Sequence, residues 1–190
     1  MSQLPNLEDL GDISGKRVLV RTDFNVPLDD GVIRDDLRIR EAIPTLKYLV
    51  DNGAEVTACT HLGRPKGKFE EKYSLNPVRA RLNEILPGIK LLDNLRFNPG
   101  EELNDPQFIE QLVAGQDMYV NDAFGASHRK HASIMGPPQL LPSAAGRLLQ
   151  NEVEILLQVR NKPKRPFVAI LGGSKVSDKL GVIDALVQVV

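Results

Sequence analysis

Short β-branched runs alternate along this chain with longer stretches of helical period. Residues 17–22 (RVLVRT) form an apolar run behind a Ser-Gly turn, which predicts a strand that Asp23-Phe24-Asn25-Val26-Pro27 ends. Residues 36–52 place Leu37, Ile39, Ile43, Leu46, Leu49 and Val50 at helical spacing, with Gly53 as the stop signal. Pro44 falls inside that stretch, where a ring removes one backbone bond and favours a kink or an early end. Further strands are predicted at 55–60 (EVTACT), near Leu91-Leu92, at 117–121 (DMYVN) and at 167–171 (FVAIL). Asn76-Pro77 and Asp105-Pro106 each set a capping residue before a proline, predicting helices near 77–86 and 106–114. A long amphipathic helix is expected over 143–161, with Leu148, Leu149, Val153, Leu156 and Leu157 on one side, and another after Lys175.

Strand and helix in alternation predict an α/β fold: a three-layer, Rossmann-like parallel sheet covered on both faces, which accounts for the near-continuous apolar strands. Ligands of such sheets sit beyond the carboxyl ends of the strands. Those ends carry Asp23 and Asn25; then His61 and Arg64; then Arg96; then His128, Arg129 and His131; then Gly172, Gly173, Ser174 and Lys175. Arg38 opens the first helix near the same edge.

Composition sharpens this picture. The 190 residues hold 24 Lys+Arg against 25 Asp+Glu, a net charge of −1, so no global basic field holds a nucleic-acid backbone. Basic side chains converging on one edge of a nearly neutral protein point instead to a small polyanion, for which arginine offers a planar fork of donors. Each such residue alone is more often a surface side chain or a partner for a carbonyl, and Asp23 with Asn25 alone reads as a turn. A single cysteine, Cys59, excludes a disulfide framework and a cysteine-built zinc site, and its Val/Thr/Ala surroundings suit a core position. His128 and His131 have no carboxylate or thiol framework around them, so no metal site is expected. The acidic start and the lack of any apolar run near about 18 residues suggest a cytoplasmic chain without a membrane partner.

Gly172-Gly173-Ser174-Lys175, with Lys179 four residues on, is a second anion signal. Glycines between a strand and a helix let backbone amides approach phosphate. It lacks Walker spacing and by itself is equally an ordinary strand–helix turn.

VLVRTDFNVP (18–27), THLGRPKG (60–67), DNLRFNPGE (93–101), NDAFGASHRKHAS (121–133) and RPFVAILGGSKVSDKL (165–180) together resemble phosphoglycerate kinase, in the family's order and over nearly the whole chain. The resemblance implies reversible phosphoryl transfer between 1,3-bisphosphoglycerate with ADP and 3-phosphoglycerate with ATP and Mg, in glycolysis, by a monomer of two α/β domains. It implies a phosphoglycerate-binding domain over 1–142, an interdomain helix over 143–162 and the opening of a nucleotide-binding domain over 163–190. Asp23, Asn25, His61, Arg64, Arg96, His128 and Arg129 would hold the phosphoglycerate. Arg38 would stabilise the transferring phosphoryl group. Gly173, Ser174, Lys175 and Lys179 would meet nucleotide phosphates, with Lys175 also catalytic.

The family pattern has a further strand–helix passage between Lys90 and Leu91, where the single run Ile89–Leu92 stands for two strands here. Most adenine-, ribose- and Mg-binding positions would lie beyond Val190. Little activity is therefore expected of these residues by themselves, and self-association through an uncovered face of the 143–161 helix is expected. The alternatives are a non-catalytic α/β module that binds a small phosphorylated acid, and a nucleotide-binding protein using 172–179.

Overall fold

The computed structural model describes residues 4–172 and 180–187. In chain order the elements are β1 (Arg17–Thr22), β2 (Leu28–Asp29), β3 (Val32–Ile33), α1 (Leu37–Asp51), β4 (Glu55–Cys59), α2 (Asn76–Ile85) and β5 (Lys90–Leu91). They continue as α3 (Pro99–Leu103), α4 (Pro106–Val113), β6 (Met118–Asp122), α5 (Ala132–Met135), α6 (Pro137–Leu140), β7 (Ser143–Ala145), α7 (Arg147–Asn161) and α8 (Leu180–Val187). Two compact units divide the chain, Met1–Gln150 and Asn151–Val190.

The first unit is built on a five-stranded sheet in the order β5-β4-β1-β6-β7, every pairing parallel. The expected α/β class is thus present. Alternation along the central strand assigns its two faces. Val18 and Val20 point, with Val56, Ala58 and Val120, into one apolar cluster that α1 and α2 close with Ile39, Leu46, Leu49, Val78 and Leu82. Leu19 joins Cys59, Leu95, Leu112 and Tyr119 on the opposite face. Cys59 is a buried core residue, and desolvation pushes its thiol up to about 12.

Connections from β1 run outward through β4 to β5, whereas those from β6 run the other way to β7. The carboxyl ends of β1 and β6 therefore flank the point where the winding reverses, the crevice such sheets use for ligands. At the opposite ends, Asp117 accepts from the Arg17 backbone at 2.9 Å and takes both arms of its side chain, at 3.0 and 2.8 Å, fixing the register of these two strands.

Several expected elements differ. The predicted helix over 143–161 starts only at Arg147, because Ser143–Ala145 extends the sheet beside β6. Pro142 precedes that stretch, and its small side chains fit the sheet edge. Residues 167–171 form no strand; among the described residues no neighbouring strand pairs with them. Within the second unit Phe167, Val168, Ala169 and Leu171 line an apolar cleft with Ile183, Leu186 and Val187 of α8. α1 runs through Pro44, since Ile39, Ala42, Thr45, Leu46 and Leu49 are all buried along it. That burial outweighs the roughly 3 kcal/mol that an interior proline costs.

The paired capping signals also separate. Asp105 caps α4, its carboxylate accepting from the Phe108 N–H at 2.9 Å, whereas Asn76 lies inside α2 with Leu75 at the cap. Asp105→Ala is therefore expected to cost about 1 kcal/mol in urea denaturation, and Asn76→Ala only a few tenths. Equal losses would contradict this assignment.

Candidate functional site

Arg21 is the last but one residue of β1 and shares the face of Leu19. It is fully buried, a position that demands partners for every donor. Its Nε donates to Ser133 Oγ at 2.8 Å, one terminal nitrogen donates to the Thr22 carbonyl, and the other lies 3.2 Å from His61 Nδ1. Glu101, also fully buried, stands 4.0 Å from the guanidinium. Its two oxygens accept from Ser133 Oγ at 2.7 Å and Ser133 N at 2.9 Å, while Tyr119 Oη donates to the Ser133 carbonyl at 2.7 Å. One network thus ties β1 to α3, α5 and the segment after β4.

Around it gather the other cations. His61 faces Arg21, Arg96, Arg129 and His131, and burial together with these charges holds its imidazole far below the usual value, at about 2. Arg96 is 3% exposed, and its desolvation lowers the guanidinium pKa. One arm donates to the Gly63 carbonyl at 2.7 Å. Its Nε lies 3.3 Å from Glu102 yet is poorly aligned, and is left buried without a hydrogen bond. His131 Nδ1 lies 3.6 Å from Glu101, but burial still moves its pKa down.

Asn25 and Arg38 flank this centre. The Asn25 side-chain oxygen accepts from Gly63 N at 2.9 Å. Gly63 has φ +60°, and a Cβ there would stand 2.2 Å from the Tyr73 ring, so only glycine fits this junction. Arg38, exposed on the first turn of α1, pairs with Asp23 at 2.5 Å. Gly125 hugs the same carboxylate, with room for a Cβ only 2.8 Å from Asp23 Oδ2.

Of the residues singled out by sequence, Asp23, Asn25, Arg38, His61, Arg96 and Arg129 thus come to the carboxyl edge. Arg64 and His128 are exposed, and His128 is not among the groups that act on His61. Gly173, Ser174, Lys175 and Lys179 lie outside the described residues. Arg21, Glu101 and Ser133 had been assigned no role, and His131 was noted only as lying beyond a strand end. Arg21's one sequence signal is a charge inside an otherwise apolar strand, RVLVRT. A cleft of about 540 Å³ opens at the amino ends of the strands, where Arg17 and Lys90 are mixed with Glu55; it gathers no comparable set of cations. Among the described residues no group of three His, Cys, Asp or Glu could hold a metal ion, and no helix is long and apolar enough to cross a membrane.

Fold and site define a parallel α/β protein with cationic side chains gathered at its winding reversal. The comparisons with known proteins narrow this. The sequence pattern of the family described as phosphoglycerate kinase matches residues 7–91 and 87–190. Phosphoglycerate kinase of Dictyoglomus turgidum is 49% identical over 201 positions, which take in 93% of this chain and 50% of the relative. That of Moorella thermoacetica is 51% identical, with coverages of 93% and 51%. The solved phosphoglycerate kinase of Coxiella burnetii superposes with a TM-score of 0.90 at 35% identity, over 97% of this chain and 52% of that one. The chain belongs to the phosphoglycerate kinase family, and it spans about half the length of the curated relatives it matches.

An alignment of 201 positions exceeds the 190 residues present, so the Dictyoglomus relative has positions with no counterpart here. The two family matches overlap at 87–91.

Two outcomes follow for the buried network. Glu101→Ala leaves Arg21 without its counter-charge and is expected to cost about 3–5 kcal/mol in urea denaturation; a loss under about 1 kcal/mol would show that the network does not hold the fold. His61 has a lowered folded pKa, so below its ordinary 6.5 the unfolded chain takes up a proton that the folded one refuses. Its contribution to stability is complete above pH 6.5 and is lost progressively as pH falls toward 2. The melting temperature is expected to fall between pH 6.5 and about 5, and to fall less steeply in His61→Asn.

Proposed function

We propose that this chain supplies the acid-substrate half of phosphoglycerate kinase and binds 3-phosphoglycerate or 1,3-bisphosphoglycerate at the carboxyl edge of its sheet. The observation that carries the reading is the convergence of Arg21, Arg96, Arg129 and His131 on His61, in a chain of this family. Residues 1–142 are read as the phosphoglycerate-binding domain, 143–162 as the interdomain helix and 163–190 as the opening of a nucleotide-binding domain.

The chemistry suits this arrangement. In the direction that consumes ATP the attacking group is the substrate carboxylate, ionised at neutral pH, so no general base is required. His61, held neutral and facing cations rather than a carboxylate, is unsuited to that role and suited to hydrogen-bonding an anion. The transferring group carries charge on its equatorial oxygens, which fixed cations stabilise. Arg38, exposed and paired with Asp23, is the cation of this unit assigned to it. Arg64, Arg96 and Arg129 hold the acid, and Asp23 and Asn25 hold its glycerate portion. ATP or ADP, with Mg, is the second substrate by family; Gly173, Ser174, Lys175 and Lys179 would receive its phosphates. Cytoplasmic glycolysis is the setting the family suggests.

Calorimetry tests the reading. 3-Phosphoglycerate is expected to bind the folded chain, and Arg64→Ala, an exposed change that spares the core, to weaken binding roughly 10- to 100-fold. A folded sample that gives no binding overturns it. A second reading, binding without turnover, rests on the chain spanning about half of its relatives' length; ATP-dependent turnover in a coupled assay would exclude that one.

A further inference from the structure

We propose that Arg21 is a positioning residue that presets His61 as the tautomer with its proton on Nε2, so that the ring meets an anion as a neutral hydrogen-bond donor. The inference deepens the anion-binding reading and rests on it for the identity of the ligand.

The argument begins with the donor inventory. A guanidinium carries five N–H donors, has no acceptor and keeps its charge. A terminal nitrogen of Arg21 lies 3.2 Å from His61 Nδ1. A donor at that distance needs a lone pair on Nδ1, so the single ring proton of a neutral imidazole sits on Nε2. Protonating Nδ1 would set N–H against N–H and add a cation to Arg21 from β1, Arg96 from the loop after β5, and Arg129 and His131 from the loop after β6. Nε2 has no hydrogen bond to a protein group among the described residues, and it is not one of the sealed, unpaired atoms. Its N–H is what the ring can offer a ligand.

Arg21 can enforce this because it cannot move. Nε is bound to Ser133 Oγ, a second arm to the Thr22 carbonyl, and Glu101 stands behind, with all four residues fully buried. The remaining arm points at His61. A histidine free to titrate would gain charge below its ordinary pKa and make anion binding strongly proton-linked there. The fixed tautomer separates the two jobs: arginines supply charge that does not vary with pH, and His61 supplies one directed donor.

Long-range proton–nitrogen correlation spectra of the ring nitrogens test this on the unliganded chain, which has three histidines. The ring whose signals vanish in His61→Asn is His61. It is expected to show Nδ1 unprotonated and Nε2 protonated, without movement between about pH 5 and 8. In Arg21→Lys, whose ammonium lacks the second arm, the His61 signals are expected to move with pH over that range and to average between tautomers. A proton on Nδ1 of the native ring, or titration near 6.5, overturns the proposal. So does an Arg21→Lys spectrum identical to the native one. The native spectrum decides even if Arg21→Lys does not fold. No ligand is present, so an Nε2 tautomer together with failed 3-phosphoglycerate calorimetry would sink the binding reading alone.

Discussion

A guanidinium buried at the end of a central strand imposes the constraint on which the rest of this structure depends. Arg21 cannot be hydrated where it sits, so each of its donors must be met by protein. Ser133 from α5, Glu101 from α3 and His61 from the segment after β4 meet it, and each belongs to a different connection of the sheet. Satisfying one side chain therefore docks three loops at one edge. Tyr119 locks the arrangement from β6 by binding the Ser133 carbonyl. The crevice is less a set of side chains placed on a finished scaffold than the consequence of completing the scaffold around a charge.

That view explains what could be read from the sequence. β1 was legible at Arg17–Thr22, and the edge holding Asp23, Asn25, His61, Arg96 and Arg129 followed from knowing only where strands end. Strong apolar periodicity and parallel topology carry that information locally. The partners of Arg21 did not show, because Glu101 and Ser133 lie 80 and 112 positions away in sequence; each looks like an ordinary helix-start residue. His128 and His131 were indistinguishable by spacing. Only the packing of α5 turns His131 toward Glu101 and leaves His128 exposed.

Elements failed to show for a related reason. Ser143-Ala144-Ala145 carries little intrinsic preference for a strand, and becomes one because β6 offers an edge there. Phe167–Leu171 has strong strand character, yet lacks a partner among the described residues. A strand is a relation between two segments, and propensity describes only one of them. The same holds for the caps: Asp105 and Asn76 carry one signal, but the backbone around Asn76 has already turned helical.

The chain leading to Arg96 shows how far the site is insulated from the sheet edge. β5 is only two residues long, yet the segment that follows is anchored elsewhere. The Asn94 amide donates to the Leu62 and Tyr73 carbonyls at 2.7 and 3.1 Å, and its oxygen accepts from Leu62 N at 3.2 Å. Backbone bonds add Leu95 N to Thr60 O at 3.1 Å and Gly67 N to Arg96 O at 3.1 Å. Arg96 then reaches back to the carbonyl of Gly63, whose N–H donates to the Asn25 side-chain oxygen. The loop bearing Arg96 is thus clamped to the loop after β4, not to the strand that introduces it. The placement of the guanidinium thus rests on Asn94 meeting Leu62 more than on the chain upstream of Leu91. The site is consequently organised around β1 and β4, and β5 need only deliver the chain to Asn94.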